Sequence, residues 1–394
     1  MTRRRLPLLP PVAAGLLLLA LAALLPGCPA RNAAEALRLL EDIAAGPGAP
    51  AGAEGVVRRE LRFGDAGERV ADLYLPAGAD RGARRSADAA LLLVPGLAPA
   101  GKDDARLVAL ARALARARIA VLVPDIASLR ALRAGPENVD DIAAGLRFLA
   151  GPGRADWGGA PDRPVGVAAV SYAVGPAVLA TLEPGLAGEV DFLVAVGGYH
   201  DLTATVTFFT TGWHRDASGA WRHRAPNAYG KWAFVQANAA RLSDPGDRSS
   251  LSAMARRRLQ DLSAPIEDLA AGLGPEGRSV HALVTNADPE RVAALIAALP
   301  EPIRADMAAL DLAGKDLSGA PPDALLIHGR DDAIIPASES VALAAALPGA
   351  PELVLLDDLA HADLATDRDA GTSGDFFRLW RASAWVLAAR DASR

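Results

Sequence analysis

Cysteine is almost absent from this sequence: Cys28 is the only one in 394 residues. Everything after it is expected to fold without an internal disulfide, a thiolate nucleophile or a cysteine metal cluster. Lysine is scarce and the net charge is −6, which argues against a nucleic-acid partner, since phosphate binding wants a basic face. There is no Walker or dinucleotide glycine motif, no heptad run and no internal repeat; Gly151-Pro152-Gly153 punctuates a loop rather than cradling a phosphate. No metal and no organic cofactor is therefore expected. Aromatic residues make up only 5%, yet they crowd into one stretch, Tyr199 to Phe234. What remains is 51% hydrophobic and 22% charged, ordinary values for a globular chain with a sizeable core.

The first 28 residues have a different character. Arg3, Arg4 and Arg5 precede an uncharged apolar run from Val12 to Leu25, and Pro26-Gly27-Cys28 follow at once. The run is short for a spanning helix, which needs about 20 apolar residues, and its layout is that of a secretory signal peptide. Leu25-Pro26-Gly27-Cys28 resembles a bacterial lipobox, with proline where a small or aliphatic residue is usual. That resemblance implies lipidation of Cys28 and an exported protein held by a lipid anchor in the bacterial cell envelope, on its periplasmic or outer face. The alternative is an ordinary signal peptide with an incidental cysteine. Residues 29–54, rich in Ala, Gly and Pro, are expected to form a tether with one short helix around Ala33 to Ala45.

From Val56 onward, strand and helix patterns alternate. Val56–Phe63 and Arg69–Leu75 read as strands with alternating apolar residues, and Ala89–Val94, Ile119–Val123, Val165–Val170 and Val190–Val196 as buried strands. Helical spacing falls at Leu107–Ala117, Val139–Ala150 and Tyr172–Leu182. The alternation stops between Thr203 and Ser318, where only an ambiguous apolar piece near Val280–Val284 interrupts helical and loop patterns. It resumes with strands at Ala324–His328 and Glu352–Leu356 and helices at Ser338–Leu347 and Phe376–Ala388. This rhythm implies an α/β fold, a mostly parallel sheet of about eight strands covered by helices on both faces. Residues 55–202 and 319–394 would form that core, and 203–318 a mainly helical cap inserted over one edge.

The chemistry concentrates at strand ends. Val165-Gly166-Val167-Ala168-Ala169-Val170 runs straight into Ser171, and a helix follows. A serine on such a strand-to-helix turn is exposed at the C-terminal edge of the sheet, where the helix N-terminus favours developing negative charge. The usual pattern is Gly-x-Ser-x-Gly; here Ala169 and Ala173 stand in the glycine positions, and Ser171 as a simple helix cap is the competing reading. A nucleophilic serine needs a base, and the base an acid. The strand Leu325 to His328 ends at Gly329-Arg330-Asp331-Asp332, and the strand Leu353 to Leu356 leads through Asp357-Asp358-Leu359-Ala360 to His361. Of the six histidines, His328 is expected to shape its turn and His200 to be at most a pocket residue, while His214, His223 and His281 lie in the cap segment.

The chain order serine, aspartate, histidine and the stretches quoted resemble the α/β-hydrolase family, from Val56 to the final helix apart from the insertion. The resemblance implies Ser171 as nucleophile, His361 as base and Asp332 as acid, with Asp331 and Asp201 as alternatives for the acid. Leu93-Val94-Pro95-Gly96-Leu97 resembles the family's oxyanion loop, which implies the amides of Leu97 and Tyr172 as oxyanion donors. Phe208, Phe209 and Trp213 are candidate walls of a substrate pocket. The expected function is hydrolysis of a small-molecule ester or acyl substrate through an acyl-enzyme. The alternatives are a catalytically inactive hydrolase fold serving as an envelope binding module, or a peptidase of the same fold.

Overall fold

The computed structural model describes residues 30–48, 55–64, 67–78, 86–216, 218–357, 359 and 373–392. The expected signal peptide, Cys28 and His361 lie outside the described residues. Among the described residues, ten strands follow one another: β1 (Val56–Phe63), β2 (Arg69–Pro76), β3 (Ala89–Val94), β4 (Ile119–Pro124), β5 (Val165–Val170), β6 (Phe192–Val196), β7 (Trp213–Arg215), β8 (Trp221–His223), β9 (Asp323–Gly329) and β10 (Glu352–Leu356). β7 and β8 pair as a small hairpin; the other eight form one sheet in the order β1-β2-β4-β3-β5-β6-β9-β10. In that sheet β2 runs antiparallel to both its neighbours and every other pairing is parallel.

The apolar runs of β3, β4 and β5 need burial on both faces, and they obtain it. Leu92, Val94, Leu122, Val167 and Ala169 point into one core, while Leu91, Leu93, Val121, Val123 and Ala168 point into the other. The first core is covered by α3 (Glu137–Ala150), α4 (Val174–Thr181) and α11 (Ala337–Ala346), the second by α1 (Ala30–Ala44), α2 (Ala105–Arg116) and α12 (Ser373–Asp391). A mostly parallel sheet with this strand order and helices on both faces is the α/β-hydrolase fold. From β3 the chain moves outward to β4, then returns to the other side of β3 as β5. Its direction of travel therefore reverses between the carboxyl ends of β3 and β5, where open α/β sheets place their ligand crevice.

Between β6 and β9 the chain forms α5 (Leu202–Thr211), the β7–β8 hairpin, and then α6 (Tyr229–Asn238), α7 (Pro245–Gln260), α8 (Pro275–Val284), α9 (Val292–Ala297) and α10 (Glu301–Leu310). These helices enclose a third core around Phe209, Trp232, Val235, Leu251, Met254 and Ile303. The ambiguous Val280–Val284 piece belongs to α8, where Val280, Leu283 and Val284 share one buried helical face. Short apolar runs cannot be assigned by periodicity alone, and here the tertiary neighbours settle the matter.

The two ends of this insertion are fastened together. The Tyr199 hydroxyl donates to the carbonyl of Leu310 at 2.9 Å, and the amides of Leu312 and Ala313 both approach the carbonyl of His200 at 3.1 Å. The Asp311 carboxylate accepts from the amide of Leu202 at 2.8 Å.

Residues 29–54, expected to form a tether, behave differently where they are described. α1 is packed against the fold rather than hanging from it. Ala33, Ala36, Leu39 and Leu40 are buried, the Trp380 indole donates to the carbonyl of Ala33 at 3.0 Å, and Arg390 pairs with Glu35. The apolar residues fall at i, i+3 and i+4 spacing, so the segment has a helical face that must find a partner, and α12 supplies it. Trp380→Ala removes this buried ring and its hydrogen bond. It is expected to cost about 3–5 kcal/mol and to lower the melting temperature measured by circular dichroism.

Candidate active site

Ser171 stands at the tip of the β5–α4 turn with a φ of 57°, one of three described non-glycine residues at positive φ. Val170 before it is still extended, and a single 3-10 turn over Ser171–Ala173 leads into α4. For a side-chain-bearing residue this left-handed conformation costs on the order of 1–2 kcal/mol. It is held from both sides, by the parallel ladders of β5 with β3 and β6 and by the packing of α4. The alanines in place of the usual glycines are accommodated: Ala169 and Ala173 are both completely buried, their methyl groups within the core.

The loop after β3 closes against this turn. A Cβ placed on Gly96 would lie 3.2 Å from the carbonyl oxygen of Val170 and 3.4 Å from the Cβ of Ser171. That spacing is tighter than an ordinary side-chain contact, so glycine lets the Pro95-Gly96-Leu97 loop approach the serine. Tyr172, next after the serine, is fastened by its phenol. The hydroxyl donates to Asn138 Oδ1 at 3.0 Å and accepts from the amide of Gly135 at 3.0 Å, and Asn138 in turn donates to Ser128 at 2.7 Å. Burial raises the pKa of this phenol well above its usual value, so it stays a neutral donor. This network was not legible in the sequence, because Ser128, Gly135, Asn138 and Tyr172 lie in three separate segments.

Asp332 lies in the turn after β9 and is fully buried. Its Oδ1 accepts the amides of Ile334 at 2.8 Å and Ile335 at 3.0 Å, and its Oδ2 lies 3.3 Å from Nε2 of His328. Nε2 of His328 is also 2.9 Å from the carbonyl of Ile335, which can only accept, so that nitrogen carries the proton; Nδ1 then accepts from the Ser340 hydroxyl at 2.6 Å. The two other candidate acids are engaged elsewhere. Asp331 is largely exposed and pairs with Arg224 at 3.2 Å, and Asp201 caps α5 by accepting the amide of Ala204 at 2.9 Å. The chain leading toward His361 passes close by: a Cβ on Gly329 would meet the carbonyl oxygen of Leu359 at 1.8 Å, so only glycine allows that approach.

Ser171, Leu97 and Tyr172 all line one cavity of about 720 Å³ with a mostly apolar wall. Of the three candidate pocket aromatics, Phe209 lines it. Phe208 is fully buried against His214, and Trp213 packs on Trp221 and His223 in the hairpin; neither is part of the wall. The helical spacing of α5 accounts for this, because adjacent residues on a helix point about 100° apart. Tyr229 and Phe234, from the same aromatic stretch, do line the cavity, as do Met307, Leu310 and residues 43–47. The α1 contribution had one signal in the sequence, its apolar helical face continuing to Ile43. Among the described residues no cluster of metal-ligating side chains occurs, and no helix is long and apolar enough to cross a membrane.

No family model matches the chain, and no curated protein matches it. Among solved structures, the chain is similar to the rice cell wall degrading esterase LipA from Xanthomonas oryzae, at 15% identity over 86% of this chain and 89% of the other, with a TM-score of 0.47. It is similar to the thermostable carboxylesterase EstE1 from a metagenomic library, at 18% identity over 91% and 95%, with a TM-score of 0.45. A Pyrobaculum calidifontis esterase gives 15% identity over 97% and 98%, with a TM-score of 0.43. The fold assignment rests on strand order and register rather than on these similarities.

Glu339, at the start of α11, fastens the loop that leads from β6 into the cap. Its buried carboxylate accepts the amides of His200 at 3.0 Å and Asp201 at 2.8 Å. Desolvation raises its pKa from 4.5 to about 7, against the pull of those two hydrogen bonds. A carboxyl whose pKa is raised by folding favours the folded state below its unfolded value, and that contribution is lost as pH rises through about 7. The stability advantage of wild type over Glu339→Gln is therefore expected to shrink between pH 5 and pH 8. The change should be on the order of 1–3 kcal/mol, read from urea midpoints across that range.

Proposed function

We propose that this chain is a serine hydrolase that cleaves a carboxylic ester through an acyl-enzyme. The observation that carries the reading is Ser171, held at a φ of 57° on the strand-to-helix turn, at the wall of an apolar cavity and against the Gly96 loop. A structure tolerates that conformation at a non-glycine residue when the surroundings over-determine it, and such strain clusters at reactive sites. A serine that merely capped the following helix would sit in extended backbone instead.

In this reading Ser171 Oγ adds to the ester carbonyl carbon while its proton passes to His361. The amides of Leu97 and Tyr172 stabilise the oxyanion. Collapse breaks the bond to the alcohol oxygen, which leaves with the proton, and water then releases the acid and restores the serine. Asp332 orients the imidazole. Its burial and its fixed Oδ1 support this role over Asp331 and Asp201. The chain order supports His361 as base, as does the approach of Leu359 to Gly329, two residues before that histidine and three before Asp332. The N-terminal pattern supports export and a lipid anchor at Cys28, which would leave the hydrolase facing the envelope.

The direct test is covalent labelling of the chain from residue 29 by a fluorophosphonate, with the modified peptide identified by mass spectrometry. Label on Ser171 is expected, and Ser171→Ala should lower p-nitrophenyl ester hydrolysis by roughly 10³-fold or more. An intact folded chain left unlabelled at Ser171 would refute the reading and favour a binding module. Gly329→Ala forces a methyl group against the Leu359 backbone. It is expected to reduce kcat/KM by about 10²-fold while the circular dichroism spectrum stays that of wild type.

A further inference from the structure

The cavity at Ser171 is far larger than a reacting ester group requires. Its volume of about 720 Å³ lies high in the range of small-molecule sites, roughly 300–1,000 Å³. Besides the sheet edge around Ser171, the apolar wall draws on Ile43 of α1 and Pro47 just after it, Leu107 and Leu110 of α2, and Val206 and Phe234 of the cap. The charged groups in it already have partners. Asp104 caps α2 and pairs with Arg106 at 3.1 Å, and Asp306 pairs with Arg241. An anionic or cationic chain would have to compete with these pairs and lose its hydration in an apolar space, a costly exchange. A neutral hydrocarbon chain gains from the same space.

We infer that the substrate is the ester of a long, uncharged, apolar acyl chain, and that the end of α1 is a specificity-determining wall for it. This rests on the serine-esterase reading above and adds the substrate class and a recognition element outside the sheet and cap. α1 can serve as a wall because it is docked by Trp380, Leu39 and Leu40, so Ile43 to Pro47 keep their place beside the cavity. Each methylene buried there favours binding by up to about fourfold until the space is filled.

The test uses the chain from residue 29 and a series of p-nitrophenyl esters from acetate to palmitate. The wild-type kcat/KM is expected to rise with chain length and to be at least about tenfold higher for laurate than for butyrate. Ile43→Trp fills the wall and should lower the laurate-to-butyrate ratio at least about fivefold, whereas Ile43→Asp should lower it by placing a charge against the chain. Wild type that hydrolyses acetate best overturns the inference while leaving the esterase reading intact, and so do folded Ile43 variants with an unchanged ratio. No hydrolysis of any ester, with no fluorophosphonate on Ser171, defeats the esterase reading itself. The wild-type profile stands whether or not the variants fold.

Discussion

The left-handed turn at Ser171 is possible because the strand before it cannot move. β5 lies between β3 and β6 in parallel register, with Val94 opposite Ala169 on one side and Val196 opposite Val170 on the other. Each residue of β5 up to Ala169 is buried, so the strand end is a fixed point. The helix that follows turns back to cover the core, and the chain makes that turn with Ser171 at a φ of 57°. The conformational cost is small beside the apolar burial that α4 achieves at Val174, Ala177 and Val178. Position and strain thus come from the packing of elements on either side rather than from the serine itself.

The same logic extends to the turn at Asp332 and to the inserted helices. Asp332 is fully buried, and a buried carboxylate is tolerable only when its oxygens are satisfied; the amides of Ile334 and Ile335 and the ring of His328 contribute to this. His328 is also tied to Ser340 at the start of α11, so the turn is braced against a helix. The cap is then laid onto the turn. The Asn227 amide donates to the Ala333 carbonyl at 2.7 Å and Arg224 reaches the Arg330 carbonyl at 2.6 Å, which sets α6 over the cavity. The Asp332 turn, the inserted helices and the cavity wall are one connected arrangement, closed at its other end by the bonds from Tyr199, His200 and Glu339.

Much of this architecture was legible in the residue pattern. The bounds of β3 and β5 coincide with the apolar runs Ala89–Val94 and Val165–Val170, because strands buried on both faces must be apolar throughout and turn residues end them. The exposed strand-end position of Ser171 was legible for the same reason. The pocket was less so. Phe208 and Trp213 share the aromatic stretch with Phe209, but only the rotation of α5 and the pairing of the β7–β8 hairpin decide which rings meet the cavity. Composition suggested a tether with one short helix before β1, and the helix is there, yet its apolar face found α12 more than 300 residues later, a contact no local pattern can report.

What the sequence determined by itself was the order of strands and helices and the residue types at the strand ends, since both follow from hydrophobic periodicity and turn chemistry over a few residues. What only the tertiary structure decided was the convergence of distant segments. It set the approach of Gly96 to Ser171, the burial that distinguishes Asp332 from Asp331, the phenol network behind Tyr172 and the share of α1 in the cavity. These depend on shape and distance between elements far apart in the chain, and a one-dimensional pattern carries neither.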